Sequence, residues 1–177
     1  MRYLILTCLV FISICRKAQE TLRVVLIRHA EKPLTGDNLS CAGFDRATRL
    51  ASVIKNKFGV PSEIFAPAPA TGRSTKNVRM LQTAWPMAVK YNLPINTRYT
   101  VEESDKLART LQKRSGTVLV VWEHKELIAI AQALGVEGTL TWPANDYDTI
   151  WLITFKSGKP VLTIDHENIQ PGAGCPF

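Results

Sequence analysis

The chain has 177 residues, 46% hydrophobic and 21% charged, with a formal net charge of +7. That length suits one domain with a single core, and that balance excludes a disordered or fibrous chain. Three positive charges, Arg2, Arg16 and Lys17, lie in the first nineteen residues; without them the charge is +4. No Lys/Arg block with interleaved aromatics follows, so nucleic acid is not an expected partner.

Met1 to Gln19 reads as a secretory signal peptide. Arg2 gives a positive start, Tyr3 to Ile14 is an apolar run of twelve residues, and Ala18-Gln19 offers a small-residue neighbourhood for cleavage. Twelve residues are short for a bilayer span but suit a signal peptide's apolar core. An uncleaved anchor or a buried strand is the plainer alternative. The expected layout is a signal peptide over 1–19 and one folded domain over 20–177, exported to a periplasmic or extracellular space. Cys15 after Ile12-Ser13-Ile14 loosely matches a lipoprotein box, although Ile14 is larger than the residue usual there. Stable membrane association is expected only if Cys15 is lipidated. Cys8 and Cys15 belong to the leader, which leaves Cys41 and Cys175 as an even pair in an exported chain. They are a candidate disulfide tying the C-terminal tail to the body; two free thiols are the alternative.

From Glu20 onward, strands and helices alternate. Val24-Val25-Leu26-Ile27 is a short apolar run that reads as a strand buried on both faces, ending in Arg28, His29 and Glu31. Pro33 to Asn38 is a loop of turn formers. Ser40 caps a helix from Cys41, with Phe44, Ala47, Leu50, Ala51 and Ile54 at helical spacing, ended by Gly59-Val60-Pro61. Glu63 to Ala66 is a short strand and Pro67 to Lys76 a loop. A helix over about Asn77 to Tyr91 contains Pro86, which removes a donor and is expected to kink it or start a new turn. Ile95 to Tyr99 reads as a strand and Glu102 to Arg114 as an amphipathic helix. Thr117 to Trp122 is a second strongly apolar strand, again ending in charge, Glu123-His124-Lys125. A helix from about Glu126 to Leu134, a loop from Thr139 to Asp146, and a hairpin of Thr149–Phe155 with Pro160–Ile164 complete the chain. The order predicts a three-layer α/β/α sandwich whose sheet is mostly parallel with an antiparallel edge.

In such a sheet, ligands bind at the carboxyl ends of the strands. Both apolar strands end in a histidine, His29 and His124, so both are expected on one rim despite 95 positions between them. A single histidine beyond a strand is more often structural. Two with the same placement, one beside Arg28, favour chemistry.

Arg28-His29-Ala30-Glu31 resembles the RHGE-type motif of the histidine phosphatase superfamily, the phosphoglycerate mutase-like proteins, in its small RHxE-type branch. Leu39-Ser40-Cys41-Ala42-Gly43-Phe44-Asp45-Arg46-Ala47 is similar to the family's LTxxGxxQA segment, with Ser for Thr and Arg for Gln. Arg79-Met80-Leu81-Gln82-Thr83-Ala84 resembles its RARQTA helix, and Trp122-Glu123-His124 falls where the family has its second histidine. The pieces occur in family order and cover Arg23 to about Leu134.

The resemblance implies a metal-independent phosphatase with no cofactor, acting on a small phosphorylated substrate. His29 would be the nucleophile, forming a phosphohistidine, and Arg28, Arg79 and His124 would bind the phosphoryl oxygens. Fixed guanidinium forks suit a group whose transfer spreads negative charge over its oxygens. A lone Arg on a helix is usually a solvated residue; the Gln82-Thr83-Ala84 context raises Arg79 above that. Glu31 reads as a residue that positions the loop or pairs with a cation. The general acid is the gap. Some branches place an Asp after the second histidine, where this chain has Lys125. Glu103 or Glu102 is the favoured candidate, with Asp146 and Asp148 facing the rim as others. Glu123 is set aside because strand alternation sends it away from His124. His166 has no ligand spacing around it that supports zinc. A second reading is a catalytically weak or inactive member that binds a phosphorylated ligand.

Overall fold

The computed structural model describes residues 21–70, 72, 73 and 75–175; the expected leader lies outside them. The elements are β1 (Arg23–Arg28), α1 (Cys41–Phe58), β2 (Glu63–Phe65), α2 (Val78–Tyr91), β3 (Ile95–Asn96), α3 (Ser104–Leu111), β4 (Thr117–Trp122), α4 (His124–Ala133), β5 (Thr149–Lys156) and β6 (Lys159–His166). They form one sheet of order β3-β2-β4-β1-β5-β6. The first four strands in that order are parallel, and β5 and β6 add an antiparallel edge. This is the three-layer α/β/α sandwich that the sequence predicts.

Alternation along the strands divides the core in two. Val24, Leu26, Val118, Val120 and Trp122 pack with Leu107 and Leu111 of α3 and with Leu127 and Ile130 of α4. Val25, Ile27, Leu119 and Val121 pack on the other face with Leu50 and Ile54 of α1 and with Met80 and Met87 of α2. All of β4 is buried, and so is β1 after Arg23. Burial on both faces is why these strands read as unbroken apolar runs. Each fully buried Val, Leu or Ile contributes about 1.5–3 kcal/mol. Among the described residues no helix is long and apolar enough to cross a membrane.

Helix α1 starts and stops where its sequence signals lie. Ser40 Oγ accepts from Gly43 N–H at 3.1 Å, and Gly59, at φ 83°, ends the helix. Helix α2 runs on through Pro86, so no separate turn starts there. Proline removes one donor, but buried Thr83, Ala84, Met87 and Ala88 carry the helix past it. Strand β3 is only two residues long, because it can pair only with Ile64 and Phe65 of the short β2. Helix α3 is shorter than expected at both ends. Glu103 is spent on the turn before it, accepting from Thr100 N–H, and Lys113 and Arg114 continue as tight turns. Helix α4 begins two residues early, at His124, because the Glu123 carboxylate accepts from Lys125 N–H at 2.8 Å and caps it. The hairpin turns on Ser157 and Gly158, both left-handed at φ 50° and 78°, as a two-residue connection favours.

Two tethers hold the start of α1. Gly43 lies so close to the chain after β1 that a Cβ there would sit 2.2 Å from the Glu31 carbonyl oxygen. Cys41 and Cys175 are disulfide-bonded, with Cα atoms 4.5 Å apart across 134 positions of sequence. Gly43→Ala is therefore expected to cost at least about 2 kcal/mol, lowering Tm by about 4–8 °C; an unchanged melting curve would mean that the loop moves freely. Reduction of the disulfide is expected to remove about 2–5 kcal/mol, read as a lower denaturation midpoint with dithiothreitol than without.

Candidate active site

Strands β1 and β4 are paired in parallel through Arg28 and Trp122, and His29 N–H donates to the Trp122 carbonyl at 3.1 Å. The chain leaves β1 for α1 on one face of the sheet and leaves β4 for α4 on the other. Adjacent strands whose following helices go to opposite faces open a crevice at their carboxyl ends, the usual place for a ligand in such sheets. His29 and His124 stand at that crevice.

His29 is 4% exposed. Its Nδ1 lies 2.7 Å from the Ala30 carbonyl oxygen. A carbonyl only accepts, so Nδ1 carries the proton and Nε2 keeps its lone pair. Burial pushes the His29 pKa down to about 4, and the charges of Arg28, Arg79 and His124 push the same way against the Ala30 hydrogen bond. The ring is thus held neutral and oriented, as a nucleophilic imidazole must be.

Arg28 is equally buried. Its Nη1 donates to the carbonyls of Ala144 and Asp146, and its guanidinium carbon lies 4.1 Å from the centroid of the Tyr147 ring. Burial lowers its pKa, and Tyr147, Glu123, Asp146 and Glu31 counter that. Tyr147 also faces His29, with ring centroids 6.1 Å apart. It forms a wall of the site that the sequence does not reveal, one residue beyond the loop expected over Thr139 to Asp146.

Arg79 lies in the first turn of α2 and reaches back over the loop after β1, donating to the carbonyls of Asn38 and Gly36. The residues after it brace the same region. Thr83 Oγ1 donates to the Arg79 carbonyl and accepts from Ala30 N–H at 2.9 Å. Gln82 accepts from Leu39 N–H and donates to Asn38 Oδ1. The Gln-Thr pair therefore positions the backbone beside His29 as well as marking Arg79.

His124 is the first residue of α4. Its Nδ1 lies 2.6 Å from Glu123 Oε1. The expectation that Glu123 points away is corrected: β4 ends at Trp122, so strand alternation no longer applies, and the carboxylate turns back over the helix start. Burial lowers the His124 pKa, Glu123 raises it, and Arg28, Lys125 and Lys32 lower it further.

The favoured acids stand elsewhere. Glu103 is paired with Lys106 and accepts from Thr100 N–H, and these hold its carboxyl below the ordinary value, the wrong direction for a proton donor. Glu102 is exposed, and no hydrogen bond or ion pair joins it to a site residue among those described. Asp146 accepts from Asp148 N–H, Thr149 N–H and the Thr149 hydroxyl; burial would raise its pKa, but these bonds prevail and lower it. Asp148 pairs with His166 at 3.2 Å. Among the described residues no cluster of three or more His, Cys, Asp or Glu side chains could hold a metal ion.

Glu31 pairs with a cation, Arg46, at 2.8 Å. Arg46 also reaches Glu167 at 2.7 Å and the Ile169 carbonyl at 3.1 Å. Burial pushes the Glu167 pKa up to about 8, with Arg46 opposing and Asp148 and Glu31 reinforcing. A separate cavity of about 670 Å³ lies between α1 and α2, lined by Phe44, Leu81, Trp85, Val89 and the disulfide. Arg28, His29, Arg79 and His124 do not line it.

No family model matches the chain, and no curated protein matches it in sequence. Solved structures do match. The protein histidine phosphatase SixA complexed with tungstate aligns with a TM-score of 0.61 at 17% identity, over 82% of this chain and 97% of that one. A phosphoserine phosphatase mutant from Entamoeba histolytica, in complex with phosphoserine, aligns with a TM-score of 0.55 at 19% identity, over 83% and 97%. The chain shares the fold of these phosphatases. A phosphoglycerate mutase from Bacillus anthracis shares it, with a TM-score of 0.53 at 12% identity over 82% and 92% of the two chains. Arg28, Arg79 and His124 all act electrostatically on His29, although the Arg79 guanidinium is engaged by the Asn38 and Gly36 carbonyls.

The titration of His29 tests the geometry directly. The chain has three histidines, so each ring is separable by NMR. His29 is expected to titrate near pH 4, with its proton on Nδ1 above that. A titration near 6.5 would mean that the ring is solvated and free of the Ala30 carbonyl.

Proposed function

We propose that the chain is an exported, metal-independent phosphatase that hydrolyses a phosphate monoester through a phosphohistidine on His29. The observation that carries this is the state of His29: buried, neutral, oriented by the Ala30 carbonyl and surrounded by Arg28, Arg79 and His124. The fold shared with phosphatases supports it. So does a mildly basic body facing an anionic substrate. Export rests on the leader-like 1–19 and on the Cys41–Cys175 bond, which suits an oxidising compartment.

In the first step Nε2 of His29 attacks phosphorus in line with the leaving oxygen. Charge on the equatorial oxygens is met by Arg28 and Arg79, with His124 as a third cation when protonated. Tyr147 closes one side and stacks on Arg28, which keeps that guanidinium aimed. Water then attacks the phosphohistidine, and inorganic phosphate leaves.

Hydrolysis of p-nitrophenyl phosphate with EDTA present tests this. Wild type is expected to turn over, and His29→Ala to lose about 10³-fold or more. Equal rates for the two would refute the nucleophile. Phosphate binding without turnover in wild type would favour a ligand-binding protein.

A further inference from the structure

A phosphate ester of an ordinary alcohol needs a proton on its leaving oxygen, and the expected carboxylic acids do not supply one. Glu103 and Asp146 are held as hydrogen-bond acceptors, and Glu31 is committed to Arg46. Glu123 is placed differently. Its backbone lies one residue past β4 in extended conformation, and its side chain caps α4. Oε2 accepts from Lys125 N–H, and Oε1 lies 2.6 Å from His124 Nδ1. That nitrogen is buried and has no hydrogen-bond partner of its own. Oε2 is thus taken up by a backbone amide and Oε1 stands against the ring as its ion-pair partner, so Glu123 is not itself the donor. A carboxylate fixed against one ring nitrogen stabilises the imidazolium and leaves the other nitrogen, Nε2, to give a proton.

We propose that Glu123 is a positioning residue that orients His124 and favours its protonated form, and that His124 donates its Nε2 proton to the leaving oxygen of the substrate. This rests on the reading of the chain as a phosphatase. In the first step the His29 Nε2–P bond forms, the bond from phosphorus to the ester oxygen breaks, and the His124 proton passes to that oxygen, releasing an alcohol. In the second step water loses a proton to neutral His124 as its oxygen bonds to phosphorus and the P–N bond breaks. Inorganic phosphate is released and both histidines return to their starting states. The substrate class widens accordingly, from activated phosphates to ordinary alkyl phosphates.

Burial above all holds the His124 pKa below its ordinary value, and Glu123 limits that fall. Arg28 from β1, Lys32 from the loop after it and Lys125 from α4 all disfavour its charged form, as burial does; Glu123 opposes them. Glu123→Gln keeps an oxygen to cap α4, so the fold is expected to persist.

The experiment uses the whole protein and two readouts. By NMR, Glu123→Gln is expected to lower the His124 pKa by about one unit, and Glu123→Asp to restore part of that shift. In kinetics, Glu123→Gln is expected to lose about tenfold or more on phosphoserine. Its alkaline limb should move to lower pH, because the donor then loses its proton sooner. Turnover of p-nitrophenyl phosphate, whose leaving group needs no proton, should change much less. An unchanged His124 pKa overturns the positioning role. Equal losses on both substrates with an unmoved pH limb overturn the donor role. If wild type turns over neither substrate, the phosphatase reading fails and the donor role with it, while the NMR shift still decides the Glu123–His124 pair.

Discussion

The parallel pairing of β1 with β4 is the constraint on which the site depends. It ends with Arg28 opposite Trp122, and the next backbone hydrogen bond, from His29 to the Trp122 carbonyl, carries the register one residue beyond the strand. A slip of one residue would turn every side chain of β1 to the opposite core. Val24 and Leu26 would face α1, and Val25 and Ile27 would face α4, so the two cores lock the register. The same lock fixes His29 against the start of α4. Placement of His29 is therefore secured by the buried apolar side chains of the two cores.

The loop after β1 is fixed by polar groups instead. Ala30 is held by Thr83, the Glu31 carbonyl receives both Ser40 N–H and the Ser40 hydroxyl, and the Glu31 side chain grips Arg46. Arg46 stands where the resemblance expects a glutamine. A buried guanidinium with one carboxylate would carry a large desolvation cost. Here Glu31, Glu167, the more distant Asp148 and the Ile169 carbonyl share it. The price of that arrangement appears in Glu167, whose proton affinity rises because burial and the neighbouring carboxylates outweigh Arg46.

Much of this was legible in the sequence, and the reasons are physical. Strands buried on both faces make unbroken apolar runs, so β1 and β4 and their rim are visible without a structure. Ser40 and Gly59 mark the ends of α1 through local hydrogen bonding and a left-handed residue. What stayed hidden depends on contacts between distant segments. Tyr147 gains its place only because the chain before β5 folds over Arg28. The role of Glu123 was misread because the end of β4 depends on a cap that no strand pattern reveals. Glu103 sat in a plausible region of sequence, yet Lys106, one helical turn later, claims its carboxylate.

The disulfide has a topological consequence. It closes a covalent ring from Cys41 to Cys175, and every element lies within that ring except β1. Yet β1 is an interior strand, flanked by β4 and β5. Oxidation shrinks the conformational space of the unfolded ring, but it does nothing to bring the segment that carries His29 to its slot in the sheet. That segment lies outside the ring and takes its place by pairing with β4 and β5, contacts distant in sequence and of the slow kind to form. The bond therefore stabilises the scaffold while leaving the placement of His29 to strand pairing and the hydrophobic core.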